Sequence, residues 1–387
     1  MKAKWNSLNR YIVESWKGYI GEELRRHGDF AHWRRGEVRI DGAFDKRNCE
    51  SMVQNSPEPK EKRMDNGVTR RTFLGMSLAS GATLLAGGSA TIFGAGSSTT
   101  PSLATNSVWK LGGDLPVNRL GFGAMRITGE GVWGWPPDRD NALKVLRRAV
   151  ELGVNLIDTA DAYGPETSEL LIAEALHPYP TGLVIATKGG LTRPGPGQWI
   201  PNGRPDYLKG CVEKSLKRLR LERIDLYQLH RVDPKVPMGE SLGALKEMQG
   251  AGKIRHVGLS EVSPEEIARA RKVLPIVSVQ NQYNIANRRW EKTLVYCDKE
   301  GLGFMPWSPI GGNRGLKPGD VLEAAAKTHG ASVVQLALAW LLQRSPVMLP
   351  IPGTSSIAHL EENVAAAKIK LTPEEWKTID ALAAKGE

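Results

Sequence analysis

Four polar side chains stand at the ends of three consecutive segments that are predicted to be β-strands. Asp158 lies at the end of one such strand, and Tyr163 follows it in the loop; Lys188 and His230 end the next two strands. Each residue alone could cap a turn, face solvent or pack in a core. All four together favour a common site, because the strands of a parallel barrel direct their carboxyl ends into one mouth.

The four side-chain types suit the protonation of a carbonyl group. A tyrosine has an unperturbed pKa near ~10, and a neighbouring ammonium favours its ionised form, which helps it to release a proton near neutral pH. Lys188 would supply that ammonium, Asp158 would hold it in place and keep it charged, and His230 would orient the carbonyl oxygen by hydrogen bonding. The pattern indicates an acid that protonates a carbonyl as a hydride arrives.

Short apolar or β-branched runs alternate with segments of helical period from residue 117 onward, which is typical of repeated βα units around a parallel sheet. Eight such strands favour a closed (β/α)8 TIM barrel over an open dinucleotide-binding sheet. An N-terminal β-hairpin over 108–111 and 115–118 is expected to close the barrel bottom. The predicted strands span 119–124, 154–159, 183–188, 224–230, 254–260, 277–281, 303–307 and 348–352. Helices are predicted over 139–152, 167–176, 205–219, 264–273 and 332–343.

One phosphate-binding motif is rejected on its context. The residues from Gly129 to Gly134 match GxGxxG, but Trp135-Pro136-Pro137 follow and cannot open the helix that a dinucleotide fingerprint requires. The match is therefore predicted to be a loop after the first strand. The sequence contains no GxSxG, HExxH or P-loop pattern, and its three cysteines lack CxxC spacing, so no metal site is predicted.

The composition is that of a packed soluble protein rather than a disordered, collagen-like or multi-span membrane chain. Of 387 residues, 41% are hydrophobic and 24% are charged. The net charge of +10 divides evenly, with 16 basic and 11 acidic residues in 1–100, and 36 basic and 31 acidic residues in 101–387. The larger part is thus only mildly basic, which suits an anionic cofactor and gives little support to a nucleic-acid partner.

A change in composition near residue 105 divides the chain. Thr69-Arg70-Arg71-Thr72-Phe73-Leu74 precedes an uncharged run over 75–96, rich in Gly, Ala and Ser, and resembles a twin-arginine export signal. A flexible linker and an uncleaved membrane tether are the alternatives. Ser102-Leu103-Ala104 offers small residues for a signal peptidase, so the mature chain is expected to begin near Thr105. The export machinery would then be a partner and the protein exported or periplasmic, or cytoplasmic if the signal is not used.

Residues 1–63 are unusual ahead of such a signal, because the paired arginines normally stand near the N-terminus. Met64 would start an ordinary short leader. We therefore expect 1–63 to be a non-native or disordered extension from an overcalled start codon, with a true N-terminal domain as the alternative. The predicted organisation is this extension, the signal and linker over 64–104, and a barrel over 105–387.

Four stretches resemble the aldo-keto reductase family, and the resemblance covers residues 107–384. It rests on Gly153-Val-Asn-Leu-Ile-Asp158-Thr-Ala-Asp-Ala-Tyr163-Gly164, Ile185-Ala-Thr-Lys188-Gly189, Leu219-Arg-Leu-Glu-Arg-Ile-Asp225-Leu-Tyr-Gln-Leu-His230 and Ile351-Pro-Gly353-Thr354-Ser355. The catalytic tetrad of that family falls on Asp158, Tyr163, Lys188 and His230. The resemblance implies nicotinamide-dependent interconversion of aldehydes or ketones with alcohols.

The same resemblance implies where NADP would bind, with NAD as the alternative. Strands five and six would hold the nicotinamide carboxamide, and strand seven would supply a stacking aromatic ring and then the pyrophosphate loop. The segment after strand eight would bind the ribose phosphate at a helix N-terminus, and the adenine end would follow in that helix. In this order the positions are Ser260 and Gln280, Trp307, then Ser308, Pro309 and Gly311, then Gly353, Thr354 and Ser355, and finally Glu362 and Asn363.

Three features depart from the pattern of the family. Glu261 stands where many relatives have Asn beside the carboxamide. Ser355, Ser356 and His359 stand where arginines commonly bind the 2′-phosphate, so hydroxyls and the helix N-terminus would hold it instead. Only a short helix over 373–384 follows the last barrel helix, so no long C-terminal loop is expected to wall the substrate pocket.

The substrate pocket is therefore expected to be open and aromatic. Trp133 and Trp135 from the first βα loop and Trp199 from the third would line it, which suggests a medium-sized or aromatic carbonyl with a pyridoxal-like or quinone-like ring. Oxidation of a sugar or alcohol stays open, because the same residues serve both directions. A nicotinamide-binding redox sensor or partner-binding subunit with little turnover is the alternative function, and the intact tetrad argues against it.

Overall fold

The structure is a computed structural model that describes residues 30–34, 37–41, 108–311 and 320–383. The chain divides into two compact units, Met1–Ile92 and Phe93–Glu387. In the first unit, strands β1 (Phe30–Arg34) and β2 (Glu37–Asp41) pair antiparallel. The predicted signal and linker over 64–104 lie outside the described residues.

An antiparallel hairpin opens the described part of the second unit. Strands β3 (Val108–Leu111) and β4 (Leu115–Asn118) pair on either side of Gly112 and Gly113. Both glycines have a positive φ, and a Cβ on Gly112 would collide with the ring of His256, so this turn needs glycine. The inward side chains of the hairpin belong to the apolar cluster that fills the inside of the main sheet.

Among the described residues of the second unit, seven parallel strands form one sheet, in the order in which they follow one another along the chain. The strands after the hairpin are β5 (Phe122–Gly123), β6 (Leu156–Asp158), β7 (Val184–Gly189), β8 (Leu191–Thr192), β9 (Ile200–Pro201), β10 (Ile224–Leu229), β11 (Ile254–Ser260), β12 (Ile276–Gln280) and β13 (Gly303–Phe304). All except β8 and β9 belong to this sheet, and those two form a separate antiparallel pair. The parallel strands read as nearly continuous apolar runs because both of their faces are buried.

The segment over 348–352, which is predicted as the eighth strand, lies between the first and last strands of the sheet. On one side Met348 forms a parallel bridge with Phe304, and the Leu349 amide donates to the Phe304 carbonyl at 2.7 Å. On the other side the Gly121 amide donates to the Pro350 carbonyl at 2.9 Å. These bonds close the curled sheet, and the architecture fits a (β/α)8 barrel.

Helices follow the strands and cover the outside of the sheet. Those among the described residues are α1 (Arg139–Glu151), α2 (Thr167–Leu176), α3 (Pro205–Leu219), α4 (Met238–Gly250), α5 (Pro264–Ala270), α6 (Glu291–Glu300), α7 (Asp320–Thr328), α8 (Val333–Arg344), α9 (Ile357–Ala365) and α10 (Pro373–Ala383). The predicted bounds of α2 and α3 are confirmed, whereas α5 ends three residues before the predicted 273. Capping boxes fix the starts of α5 and α8, at Ser263 with Glu266 and at Ser332 with Gln335.

The rejected GxGxxG match lies in a loop, as predicted. Glu130–Val132 form a single 3-10 turn, and Trp133 then bridges to Gly164 in the loop after β6. None of the helices in the described part of the chain has the length and apolar character needed to span a membrane.

Candidate active site

A buried lysine stands at the centre of the predicted tetrad. The Lys188 ammonium, on β7, donates to Asp158 Oδ2 and to the Thr159 carbonyl, both at 2.7 Å, and to the Tyr163 hydroxyl at 3.3 Å. Lys188 has no exposed surface, and Asp158 and Tyr163 are 2% and 7% exposed. The structure thus brings three predicted catalytic residues into direct contact in a water-poor site.

Both oxygens of the Asp158 carboxylate, at the end of β6, accept hydrogen bonds. Its Oδ2 accepts from Lys188, and its Oδ1 accepts from the amide groups of Gln280 at 2.8 Å and Gln228 at 3.3 Å. Gln228 on β10 was missed from the sequence, because a buried glutamine inside a strand gives no local signal of its partner. Gln280, which was predicted to hold the carboxamide, donates to Asp158 from its side-chain nitrogen, so this amide contacts the tetrad directly.

Burial and charge set the protonation of the central pair. Burial raises the pKa of Tyr163, and the Lys188 charge offsets this only in part, so the phenol keeps its proton at neutral pH. Burial disfavours the Lys188 ammonium, but the Asp158 and Tyr163 oxygens outweigh burial and raise its pKa. The resting pair is therefore a neutral phenol beside a charged ammonium.

His230 faces this pair from the end of β10. Its ring lies 5.8 Å from the Tyr163 ring, edge to face, and the residue is 6% exposed. Burial, together with the positive charges of Lys188, Arg231 and Arg193, lowers its pKa well below the usual 6.5. Its Nδ1 has no hydrogen-bond partner among the described residues. The imidazole is therefore neutral and can donate one N–H to a bound oxygen.

The neutral state of His230 predicts a pH-dependent stability. In the unfolded chain this histidine takes up a proton below about pH 6.5, whereas the folded protein resists it, so stability falls as the pH falls. Between pH 7.5 and 5.5 the loss from this residue is about 1.4 kcal/mol. We expect the free energy of unfolding in urea to drop less over this range in His230→Gln than in the unchanged protein. Equal drops in both proteins would contradict the assignment of a neutral histidine.

Aromatic residues from two loops meet beside the tetrad. Trp199, next to β9, has its ring 6.2 Å from Tyr163 and 6.4 Å from His230. The Arg193 guanidinium lies 3.5 Å from the Trp199 ring centroid and 5.4 Å from that of Trp133. Two of the three predicted pocket residues thus converge, joined by an arginine that was missed from the sequence although it stands in the same loop as Trp199.

Trp135, the third predicted pocket residue, is placed elsewhere. It is 49% exposed, and its ring lies under the Arg139 guanidinium at 4.7 Å. Arg139 also forms an ion pair with Glu174 on the surface. The structure therefore places Trp135 at the start of α1 rather than against the tetrad.

A second arginine that was missed from the sequence follows His230 directly. Arg231 Nη1 donates to the Ser260 hydroxyl at 2.9 Å and to the His230 carbonyl at 2.6 Å. Ser260, predicted to bind the carboxamide, is almost fully buried at the end of β11. The sequence signal that could have identified Arg231 is its position directly after His230.

Glu261, one of the departures from the family pattern, is hydrogen-bonded to Trp307, the predicted stacking ring. Its Oε1 accepts from the indole Nε1 of Trp307 at 2.8 Å and from the Gln282 amide at 2.7 Å, and its Oε2 pairs with Arg289. The backbone of Glu261 has φ +56°, a conformation that Asn tolerates better than Glu. The side-chain contacts offset that strain, and they fix the indole at the ends of β11 and β12.

The loop after β13 turns sharply behind Trp307. Ser308 has φ +53°, and its carbonyl accepts from Asn284 Nδ2 at 2.9 Å and from the Gly311 amide at 3.1 Å. Pro309 is buried between them. The three predicted pyrophosphate positions, which end at Gly311, are all described, and the rest of this loop lies outside the described residues.

The predicted phosphate end lies at the start of α9. Ser356 caps the helix, and the Thr354 hydroxyl accepts from the Ser356 amide at 3.0 Å. Ser355 is exposed, and the first turn of α9 carries no acidic side chain, so a phosphate would meet hydroxyls and amides without repulsion. A Cβ on Gly353 would come within 2.5 Å of the Gly123 carbonyl, so glycine is required there by the packing of the backbone itself.

The two residues predicted for the adenine end lie further along α9. The Glu362 carboxylate accepts from the Ser332 hydroxyl, and the Glu362 carbonyl accepts from Gln335 at 3.0 Å. Asn363 is 4% exposed. Glu362 thus joins α9 to the start of α8, and Asn363 packs in the interior.

Comparison with known proteins agrees with this geometry. The Aldo/keto reductase family model matches residues 119–384. An uncharacterized oxidoreductase of Schizosaccharomyces pombe is 53% identical over 268 residues, 69% of this chain and 87% of that protein. Pyridoxine 4-dehydrogenase of Escherichia coli is 44% identical over 281 residues, 70% of this chain and 96% of that protein. An aldo/keto reductase of Klebsiella pneumoniae, solved with NADP and acetate, superposes with a TM-score of 0.62 at 26% identity, covering 72% of this chain and 95% of that one. The chain belongs to the aldo/keto reductase family.

Proposed function

We propose that the protein passes a hydride from NADPH to an aldehyde or ketone, with Tyr163 as the proton donor. The observation that carries the proposal is the contact of the Lys188 ammonium with both Asp158 and the Tyr163 hydroxyl, beside a neutral His230. Membership of an oxidoreductase family gives the reaction class, and the geometry gives each side chain its role.

The residues of the site account for the proton transfer. A carbonyl oxygen between Tyr163 and His230 would accept a hydrogen bond from each of them. As negative charge develops on that oxygen, the Tyr163 proton moves onto it. The Lys188 ammonium stabilises the phenolate left behind, and Asp158 keeps the ammonium fixed and charged. A bound reduced nicotinamide supplies the hydride.

The residues present fit a nicotinamide nucleotide. Ser260, Gln280 and Trp307 would hold the nicotinamide end, since Gln280 donates directly to Asp158 and Ser260 is linked to the His230 carbonyl through Arg231. Thr354 and Ser355 at the start of α9 would hold the 2′-phosphate, in place of arginines. Because a relative of the same fold is solved with NADP, we favour NADP over NAD.

The direct test is a fluorescence titration of the protein with NADPH and NADH, followed by the loss of 340 nm absorbance after aldehydes are added. NADPH is expected to bind at least about tenfold more tightly, as charge-assisted hydrogen bonds to one phosphate would give. Oxidation of bound NADPH by a carbonyl would support the proposal. Binding without oxidation by any aldehyde would favour a sensor, and binding of neither nucleotide would contradict the proposal.

We propose an aromatic carbonyl of the pyridoxal type as the substrate class. Trp133 and Trp199 beside the tetrad support a planar ring, and the E. coli relative at 44% identity is named for pyridoxine oxidation. Activity should therefore be compared in both directions, on pyridoxal with NADPH and on pyridoxine with NADP. A clear preference for aliphatic sugars in either direction would contradict this substrate class.

Loss of the Glu261 carboxylate is expected to weaken cofactor binding through Trp307. Glu261→Ala removes the acceptor of the indole N–H, and we expect the dissociation constant of NADPH to rise about tenfold, the value of one hydrogen bond to a charged group. Glu261→Gln keeps an acceptor oxygen and should stay within about threefold of the unchanged protein. Arg289→Met is the control variant, because it removes the ion pair with Glu261 and leaves the carboxylate in place. Equal binding by the Ala and Gln variants would count against the anchoring of Trp307.

We further propose that residues 64–104 act as a twin-arginine export signal and linker, on the pattern around Arg70 and Arg71. Replacing both arginines by lysine in the full chain is expected to leave the protein in the cytoplasm at its unprocessed length. Arg63→Lys, outside the motif, is the matched control. The readout is cell fractionation with mass spectrometry of the N-terminus, and an unchanged distribution would refute the signal.

A further inference from the structure

Arg193 is a cation beside the candidate active site that has no partner of opposite charge. Among the residues that the structure describes, no carboxylate lies within ion-pair distance of it. Its Nη1 donates to the Ala162 carbonyl at 2.7 Å, while its Nε and Nη2 are buried and have no acceptor. Buried donors of a charged group are normally paired, so these two N–H groups are available to an acceptor on a bound ligand.

The guanidinium is held in a fixed position. It stacks on Trp199 at 3.5 Å from the ring centroid and lies 5.4 Å from that of Trp133, contacts that suit the planar arginine better than lysine. Trp199 in turn contacts the rings of Tyr163 and His230. The charge of Arg193 also acts on His230, whose pKa it helps to lower. Arg193 thus lies within electrostatic reach of the reacting carbonyl.

Arg193 also lines a cavity of about 280 Å³, with Ala162, Leu191 and Tyr207 among its walls. Asp161 faces the same cavity, but burial and the charge of Glu169 raise its pKa to about 7. At neutral pH this carboxyl is therefore only partly ionised and is a weak counter-ion.

We propose that Arg193, held by its contacts with Trp199 and Trp133, binds an anionic group of the carbonyl substrate, so that the enzyme prefers anionic aromatic aldehydes to neutral ones of the same shape. The inference rests on the proposed reductase function and names the charge of its substrate. Its physical basis is that a partly desolvated guanidinium recovers hydrogen bonds and charge neutrality only with such a ligand. A neutral substrate can offer an acceptor oxygen, but it leaves the charge of the guanidinium without a counter-ion.

The test compares two aldehydes of equal size, 4-carboxybenzaldehyde and 4-formylbenzamide, which differ in charge at neutral pH. The ratio of their kcat/KM values is expected to favour the carboxylate at least tenfold in the unchanged protein. In Arg193→Met the ratio should fall to about one, mainly through KM, because a group remote from the carbonyl binds equally in ground and transition states. Arg193→Lys should keep part of the preference through its charge.

Arg139→Met is the matched control, since Arg139 also stacks on a tryptophan but is exposed and paired with Glu174. It should leave the ratio unchanged. A ratio near one in the unchanged protein, or an equal ratio in Arg193→Met, with the amide still reduced, would overturn the assignment and leave the reductase function standing.

Quenching of tryptophan fluorescence by the two aldehydes, measured without cofactor, gives a readout independent of turnover. Tighter binding of the carboxylate that is lost in Arg193→Met supports the assignment even if neither aldehyde is reduced. Failure of reduction alone would instead count against the proposed reaction. Equal binding of the two aldehydes would reject the anion site.

Discussion

Tyr163→Phe is expected to lower kcat/KM for carbonyl reduction by at least about 10³-fold while the dissociation constant of NADPH changes less than about twofold. The variant loses only the hydroxyl oxygen, and the ring keeps its contacts with Trp199 and His230. No other group within the described site is suited to transfer a proton to the carbonyl: Lys188 is committed to Asp158, and His230 is neutral, so its N–H can donate a hydrogen bond but is too weak an acid to give up the proton.

The measurement pairs single-turnover oxidation of bound NADPH with a binding titration, so that chemistry and affinity are read separately. His230→Gln is the informative comparison, because it keeps a hydrogen-bond donor near the carbonyl and the acid in place. We expect it to lose less activity than Tyr163→Phe. If the phenylalanine variant keeps more than a tenth of the turnover, the acid is a different group.

The sequence predicted the tetrad because Asp158, Lys188 and His230 each end an apolar run and Tyr163 follows the first of them in the loop, and that signal is local. The partners of the tetrad were harder to predict. Gln228 lies 70 residues from Asp158 along the chain, and the two meet because β10 and β6 both pair with β7 in the sheet. Arg193 gave no signal either, because its role depends on where two loops from different strands meet.

The predicted eighth strand shows a second limit of what the sequence pattern can predict. Its apolar run was predicted over 348–352, and the segment does occupy that place, yet it forms only one bridge with a neighbouring strand. Pro350 and Pro352 lack the N–H groups that a regular ladder needs, while their carbonyls still accept bonds from Gly121 and Gly123. A hydrophobic pattern predicts where such a segment lies, but its hydrogen bonding follows from its prolines.

Breaking the buried ion pair between Lys188 and Asp158 is expected to affect both stability and catalysis. Asp158→Asn leaves the ammonium of Lys188, which has no exposed surface, without its counter-ion, and the free energy of unfolding should fall by about 3–5 kcal/mol. Lys188→Met removes the charge itself, and Asp158 keeps its hydrogen bonds from Gln228 and Gln280. The Lys188→Met variant should therefore be less destabilised than Asp158→Asn. Both variants should lose at least about 10²-fold in kcat.

The double variant separates the two effects. With neither charge present, no unpaired ion is buried, so Asp158→Asn combined with Lys188→Met should be more stable than Asp158→Asn alone. Its activity should stay low, because nothing then stabilises the phenolate of Tyr163. In Lys188→Met the alkaline limb of the pH profile should also move to higher pH, since the ammonium that lowers the pKa of Tyr163 is gone. A double variant as unstable as Asp158→Asn, or an alkaline limb that moves to lower pH, would show that Lys188 does not act on Tyr163 through its charge.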